Sequence, residues 1–289
     1  MKFRSFTLLL ASAAALAYGA AALAQSQAEK VARGKYLVET IAGCANCHTP
    51  RNPDGTFNHD MAYAGAFVIE EPVFKAYARN ITPDRETGIG GWTEDQIVRA
   101  LRDGIRPDGQ VLGPPMSFGW YRRMSDTDAY AIAAFLKTVP AVRNEVPLSE
   151  FQIPLPGYGP LVENVPDVPR TDPVKYGEYL AGPVGHCMDC HTTYVEGQID
   201  MAQLGRGGNI YPRPFIYEWS AVSRNITSHP MYGLGNWTDA EIKRAIVDGI
   251  GRDGRTMLDF MPYALYKDME ERDLNAIVAY LRSLPPLGP

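Results

Sequence analysis

The 289-residue sequence predicts an all-α protein built as two tandem helical domains joined by a proline-rich linker. Three observations predict it. Segments of the first half recur in the same order in the second, so one unit is present twice. Each half carries apolar residues at helical spacing, and no stretch alternates persuasively enough for a sheet. Between the halves, residues 140–173 hold eight prolines, too many for a helix and enough to make the segment extended and semi-rigid. The division that follows is a leader at 1–24, domain one at 25–140, a linker at 141–171 and domain two at 172–289. The boundary between the halves falls near residue 165.

The leader opens with Lys2 and Arg4, continues as an uncharged, alanine-rich apolar run from Phe6 to Ala24, and ends in Ala22-Leu23-Ala24 before Gln25. That is the pattern of a secretory signal peptide with an A-x-A cleavage site. An uncleaved anchor is the alternative, since the run is near spanning length. No later segment approaches 18 uncharged apolar residues. Without Lys2 and Arg4 the 28 basic residues fall to 26 against 33 acidic ones, a balance of −7. An acidic chain with no basic patch argues against a nucleic-acid partner.

The first helix is expected from Ala28 to Ile41, with Val31, Tyr36, Leu37 and Ile41 facing inward. Residues 61–78 and 201–223 read as short strands or loops. Thr93-x-x-Gln96 is a capping box before Ile97, Ala100 and Leu101, and Gly104 supplies the stop. Its counterpart runs from Thr238-x-x-Glu241 to Gly249. The last helix of the first half begins near Ser125 and carries Ala129, Ile132, Ala133, Phe135 and Leu136 before Pro140. Its counterpart carries Leu274, Ile277, Val278, Tyr280 and Leu281 before Pro285. The duplication is legible in matched pieces: Gly34-Lys35-Tyr36-Leu37 with Gly177-Glu178-Tyr179-Leu180, Arg79-Asn80-Ile81-Thr82 with Arg224-Asn225-Ile226-Thr227, and Trp92-Thr93 with Trp237-Thr238.

All four cysteines lie in two CxxCH motifs, Cys44-Ala45-Asn46-Cys47-His48 and Cys187-Met188-Asp189-Cys190-His191. Two thiols at this spacing can form thioethers to one haem while the adjacent histidine reaches its iron. A redox disulfide usually accompanies a βαβ pattern, which is missing here. Four zinc thiolates would leave the two histidines unexplained. The motifs therefore predict two covalently bound haem c groups on Cys44, Cys47, Cys187 and Cys190, with His48 and His191 as axial iron ligands. Covalent haem attachment occurs outside the bacterial inner membrane, which agrees with the leader and predicts a periplasmic protein.

The sixth ligand decides between electron transfer and catalysis. Met116 lies seven residues after Gly109, and Met261 seven after Gly254; both adjoin proline in a loop between helices. Core filling is the ordinary role of a methionine. Met124 and Met269 also match across the halves, but they precede a helix cap and read as hydrophobic staples. Loop position thus selects Met116 and Met261 as the distal ligands. Met257 matches Leu112 and reads as an ordinary apolar position. Among the other histidines, His59 sits between polar neighbours and His186 abuts Cys187. His229 is the rival ligand for the second site. Arg79 and Arg224, or Asn80 and Asn225, either bond haem propionates or form a turn that orders the next loop.

These matched segments resemble class I cytochrome c domains over roughly 28–140 and 172–286. The resemblance implies that Gly34 packs on Phe135 and Gly177 on Tyr280. The stretch 80–92, Asn-Ile-Thr-Pro-Asp…Thr-Gly-Ile-Gly-Gly-Trp, is similar to the cytochrome subunits of bacterial alcohol and gluconate dehydrogenases. It implies an electron carrier rather than a catalytic subunit, serving a periplasmic or membrane-associated dehydrogenase and passing electrons towards quinone. Those subunits usually carry three haem domains where this chain has two. In the second half Ser228-His229-Pro230 replaces the Pro-Asp of the motif. The expected function is single-electron relay to quinone, an oxidase or another cytochrome through two His/Met haems. The competing expectation is a two-haem redox enzyme of peroxidase or thiosulfate dehydrogenase type, with one catalytic haem.

Overall fold

Two helix crossings organise the computed structural model, which describes residues 26–155, 159–195, 198–212 and 218–288. Helix α1 (26–39) crosses α5 (Asp126–Leu136) at Gly34, where a Cβ would lie 1.8 Å from the Ala131 carbonyl oxygen and 2.9 Å from Phe135 Cβ. Helix α6 (Pro173–Tyr179) crosses α10 (Glu271–Ser283) at Gly177, where a Cβ would lie 1.8 Å from the Ala276 carbonyl oxygen and 2.9 Å from Tyr280 Cβ. Only glycine lets the backbones come this close. The aromatic partners are the two that the resemblance implied.

Between the crossings come the one-turn helix α2 (Ala45–His48), α3 (Glu94–Asp103) and the one-turn α4 (Phe118–Tyr121). Later come α7 (Cys187–Cys190), α8 (Asp239–Asp248) and α9 (Tyr263–Tyr266). Both capping boxes form. Thr93 accepts from the Gln96 amide while Gln96 bonds the Thr93 amide, and Thr238 and Glu241 do the same. Gly104 and Gly249 end α3 and α8 in the left-handed conformation, at φ 65° and 64°. Helix α6 runs on into a π-helical turn at Leu180–Val184 that contains Pro183.

The all-α expectation is overturned. The described residues also contain three small antiparallel sheets. Strands β1 (Ala66–Glu71) and β2 (Phe74–Ala78) form a hairpin, and β3 (Glu150–Phe151), from the proline-rich segment, adds to the β2 edge. In the second half β4 (Tyr194–Val195) pairs with β5 (Gln198–Ile199), and β6 (Ile210–Tyr211) with β7 (Ala221–Val222). A register shift between Phe67 and Ile69 leaves Val68 as an extra residue, so Val68 and Ile69 are buried side by side. That bulge destroys the period-two signature by which a strand is read from sequence. Strands β3 to β7 are two residues long and too short to show any period.

Buried side chains from both halves, including Leu37, Ile41, Ile132, Leu180, Val184 and Ile277, belong to one continuous core. A reciprocal polar clasp joins the helices. Tyr36 of α1 donates to Asp273 of α10 at 3.0 Å, and Tyr179 of α6 donates to Asp128 of α5 at 2.7 Å. Each phenol also accepts the amide at the start of the other half's last helix, Glu270 at 3.1 Å and Ser125 at 3.2 Å. The proline-rich segment is bonded to the first half. Asn144 donates to the Ala64 carbonyl, Asp126 N to the Val165 carbonyl, and Thr127 to Asp167. The expected leader at 1–24 lies outside the described residues. Among the described residues no helix is long and apolar enough to cross a membrane.

Candidate functional site

Each CxxCH motif folds as a single helical turn. The His48 amide donates to the Cys44 carbonyl at 3.0 Å and the His191 amide to the Cys187 carbonyl at 2.9 Å. A helical turn sets residues three apart on one face, so the two thiols of each motif point the same way. All four cysteines are free thiols and half-buried. Burial is the chief reason their pKa values rise. Cys44 and Cys190 are pushed up to about 12, and Cys47 and Cys187 to about 11.

The imidazoles are fixed in matching fashion. His48 Nδ1 lies 2.7 Å from the Arg79 carbonyl oxygen, and His191 Nδ1 lies 2.7 Å from the Arg224 carbonyl oxygen. A carbonyl can only accept, so Nδ1 carries the proton and Nε2 keeps its lone pair. Burial lowers both histidine pKa values and favours this neutral form, while the carbonyl bond acts the other way. Such a ring has the tautomer and orientation that a metal ligand needs.

The Arg-Asn-Ile-Thr segments are what hold those carbonyls, a role the sequence reading missed. Asn80 Oδ1 accepts from the Thr82 amide at 2.9 Å and hydroxyl at 2.8 Å; Asn225 Oδ1 accepts from the Thr227 amide at 2.9 Å and hydroxyl at 2.7 Å. Asn80 Nδ2 donates to the Val142 carbonyl and Asn225 Nδ2 to the Leu287 carbonyl, each at 2.8 Å. The Arg79 guanidinium donates to the carbonyls of Val146 and Pro147. Both asparagines thus build the turn that orders the loop. The signal was the occurrence of Arg-Asn-Ile-Thr 31 and 33 residues after the motif histidines.

Met116 and Met261 occupy equivalent turns just before α4 and α9. The Phe118 amide donates to the Met116 carbonyl at 2.9 Å and the Tyr263 amide to the Met261 carbonyl at 2.8 Å. Both side chains are half-buried, whereas Met124 is fully buried in the core. Buried Tyr121 and Tyr266 follow on these short helices. Their phenols are raised far above the ordinary value, mainly by burial and then by the nearby motif thiols. His229 is engaged in a turn, its Nδ1 accepting the amides of Met231 and Tyr232 at 3.1 Å. His186 meets the Tyr121 ring edge-on at 5.7 Å, and His59 begins a short 3-10 turn, His59–Met61.

The two sites adjoin. Ser117, next to Met116, donates to Asp189 inside the second motif at 2.6 Å. A Cβ on Gly43, next to Cys44, would lie 3.6 Å from both Pro262 and Leu265, just beyond Met261. The donor set of each motif suits a covalently held haem: two aligned thiols and one neutral imidazole presenting Nε2. No group of three or more His, Cys, Asp or Glu residues placed to share one metal ion occurs among the described residues.

No family model matches the chain. It is 34% identical over 293 residues to the cytochrome c subunit of a quinone alcohol dehydrogenase of Gluconobacter oxydans, covering 94% of this chain and 58% of that protein. It is 31% identical over 281 residues to the cytochrome subunit of a fructose dehydrogenase of Gluconobacter japonicus, covering 91% and 54%. A diheme cytochrome c-type protein of Cereibacter sphaeroides is 26% identical over 265 residues, covering 85% and 83%. The chain is similar to c-type cytochromes. It is a homologue of the cytochrome c subunits of bacterial dehydrogenases and of a diheme cytochrome c. It spans little more than half the length of the dehydrogenase subunits it matches.

Proposed function

We propose that this chain is an exported, periplasmic electron carrier with two covalently attached haems, one in each of two duplicated domains. Cys44 and Cys47 hold the first and Cys187 and Cys190 the second. His48 and Met116 would hold the first iron, and His191 and Met261 the second. The chain takes single electrons from a dehydrogenase and passes them to quinone, an oxidase or another cytochrome.

The observation that carries this reading is the twofold occurrence of one bonding scheme: an imidazole Nδ1 at 2.7 Å from the carbonyl of an Arg-Asn-Ile-Thr turn, beside two aligned thiols. When bound, the haem supplies a one-electron couple. The protein's own groups do the rest. The carbonyls of Arg79 and Arg224 hold the imidazole protons at Nδ1 and keep Nε2 directed at the iron. Met116 and Met261 offer soft, neutral thioethers, which favour the ferrous state and raise the potential. With His48 and Met116 holding one iron and His191 and Met261 the other, each site would pass electrons rather than bind substrate.

The test is substitution of each methionine in the haem-loaded protein. Met116→Ala should abolish the methionine–iron absorption of one haem and lower its potential, and Met261→Ala should do so for the other. Unchanged potentials in both variants would refute the ligand assignment.

A further inference from the structure

Corresponding positions of the two motifs make the same hydrogen bond with different charge. Arg51 stands three residues after His48, and Tyr194 three after His191. Arg51 Nη2 donates at 2.7 Å to Asn46 Oδ1, between the first two cysteines. Tyr194 Oη donates at 2.6 Å to Asp189 Oδ1, between the second two. The first site therefore holds a guanidinium on a neutral amide, and the second a neutral phenol on a carboxylate. The matched pairs differ by two units of charge.

Neither charge is a solvated surface group. The Arg51 side chain is only 5% exposed, and its guanidinium also lies over the Phe57 ring at 4.6 Å. Asp259, at 4.0 Å, is its acidic neighbour across the boundary, but it is 59% exposed, where solvent screens it strongly. Asp189 is half-buried, and its second oxygen accepts from Ser117. The half-buried Glu71 acts on Tyr194 and adds negative charge on the same side. His186, beside Asp189, is kept towards its neutral form by burial, against the pull of that carboxylate.

Reduction of a haem adds one negative charge to its site. A cation held close in a poorly solvated setting favours that charge, and an anion opposes it. We propose that the Asn46–Arg51 and Asp189–Tyr194 pairs order the two sites by reduction potential, the site at His191 lying below the site at His48. This ordering rests on the two-haem reading above. It assigns Arg51, Asp189, Asn46 and Tyr194 as positioning residues that set potential without touching the iron. Each pair sits on the boundary between the halves, so the ordering belongs to the intact chain.

The experiment is a spectroelectrochemical titration of the full-length, haem-loaded protein. Met261→His tags the second site by changing its spectrum and depressing its potential, which identifies that site's wave. The lower wave of the unsubstituted protein should be the one that moves. Asp189→Asn should raise it by a change of order tenfold in the reduction equilibrium, about 59 mV for a one-electron couple. Arg51→Gln should lower the upper wave comparably. Asn46→Asp, which places a carboxylate at the first site, should also lower the upper wave and narrow the gap. Tyr194→Phe keeps every formal charge and should shift the lower wave less than Asp189→Asn. If Asp189→Asn fails to load haem, Asn46→Asp and Arg51→Gln still decide the matter. Two haems whose separation survives these charge changes, or a tagged wave that is the upper one, would overturn the ordering alone. A product carrying a single haem by mass would overturn the two-haem reading and the ordering together.

Discussion

The two ends of the clasp between the helices differ. At one end Asp128 accepts Tyr179 and is also held by Arg33 through Nε at 2.8 Å and Nη2 at 2.9 Å. At the other end the residue corresponding to Arg33 is Tyr176, whose hydroxyl is buried without a hydrogen-bond partner. Asp273 there accepts Tyr36, and its Oδ1 has only the Arg272 guanidinium at 3.5 Å, with no hydrogen bond. One carboxylate is neutralised by a bidentate cation and the other is left half-satisfied. A near-twofold arrangement can thus keep its geometry while its energetics become one-sided.

The largest expected effect tests that asymmetry directly. Asp128→Ala strands Arg33 in a mostly buried position and should destabilise the haem-loaded protein by about 3–5 kcal/mol. Asp273→Ala, which releases an already half-satisfied group, should cost about 1–2 kcal/mol. Denaturant unfolding followed at the Soret band measures both, and equal losses would erase the distinction. The hydroxyls come next. Tyr179 bonds Asp128, the Ser125 amide and the Ser125 hydroxyl, whereas Tyr36 bonds Asp273 and the Glu270 amide. Tyr179→Phe should therefore cost about 2 kcal/mol and Tyr36→Phe about 1 kcal/mol.

The smallest effect lies at the helix caps. The α8 cap uses Glu241, whose pKa is held down chiefly by the Thr238 amide, while the α3 cap uses the uncharged Gln96. A carboxyl depressed by folding contributes stability above its unfolded pKa, and the contribution fades as pH falls through the lower folded value. On acid titration the Thr238 amide resonance should move with a midpoint below the ordinary glutamate value, while the Thr93 amide stays still. Parallel movement would mean that the caps do not differ.

Much of this was readable in the sequence because it is local. A capping box needs four residues, and both were found at Thr93 and Thr238. The motif turns and the methionine loops are also short-range features. The hairpin at 66–78 was left open as strands or loop because its bulge sets Val68 and Ile69 inward together. The clasp could not be read, since Tyr36 and Asp273 are 237 residues apart; Tyr36 reads as an inward apolar contact and Asp273 as an ordinary first-turn acid of its helix. The Arg-Asn-Ile-Thr segments were recognised as matched, but the group that matters is a main-chain carbonyl, which has no letter of its own.

The path of the chain after α5 limits how the molecule can be taken apart. Beyond Pro140 it returns along the first site, where Val142 receives Asn80, Val146 receives Arg79, and Glu150–Phe151 extends the hairpin. The oxygen that orients His48 is thus buttressed by residues more than 60 positions downstream. A fragment cut where its last helix stops would keep Cys44, Cys47, His48 and Met116 and lose the brace behind the His48 imidazole. The brace reaches Phe151, well inside what composition alone marks as spacer.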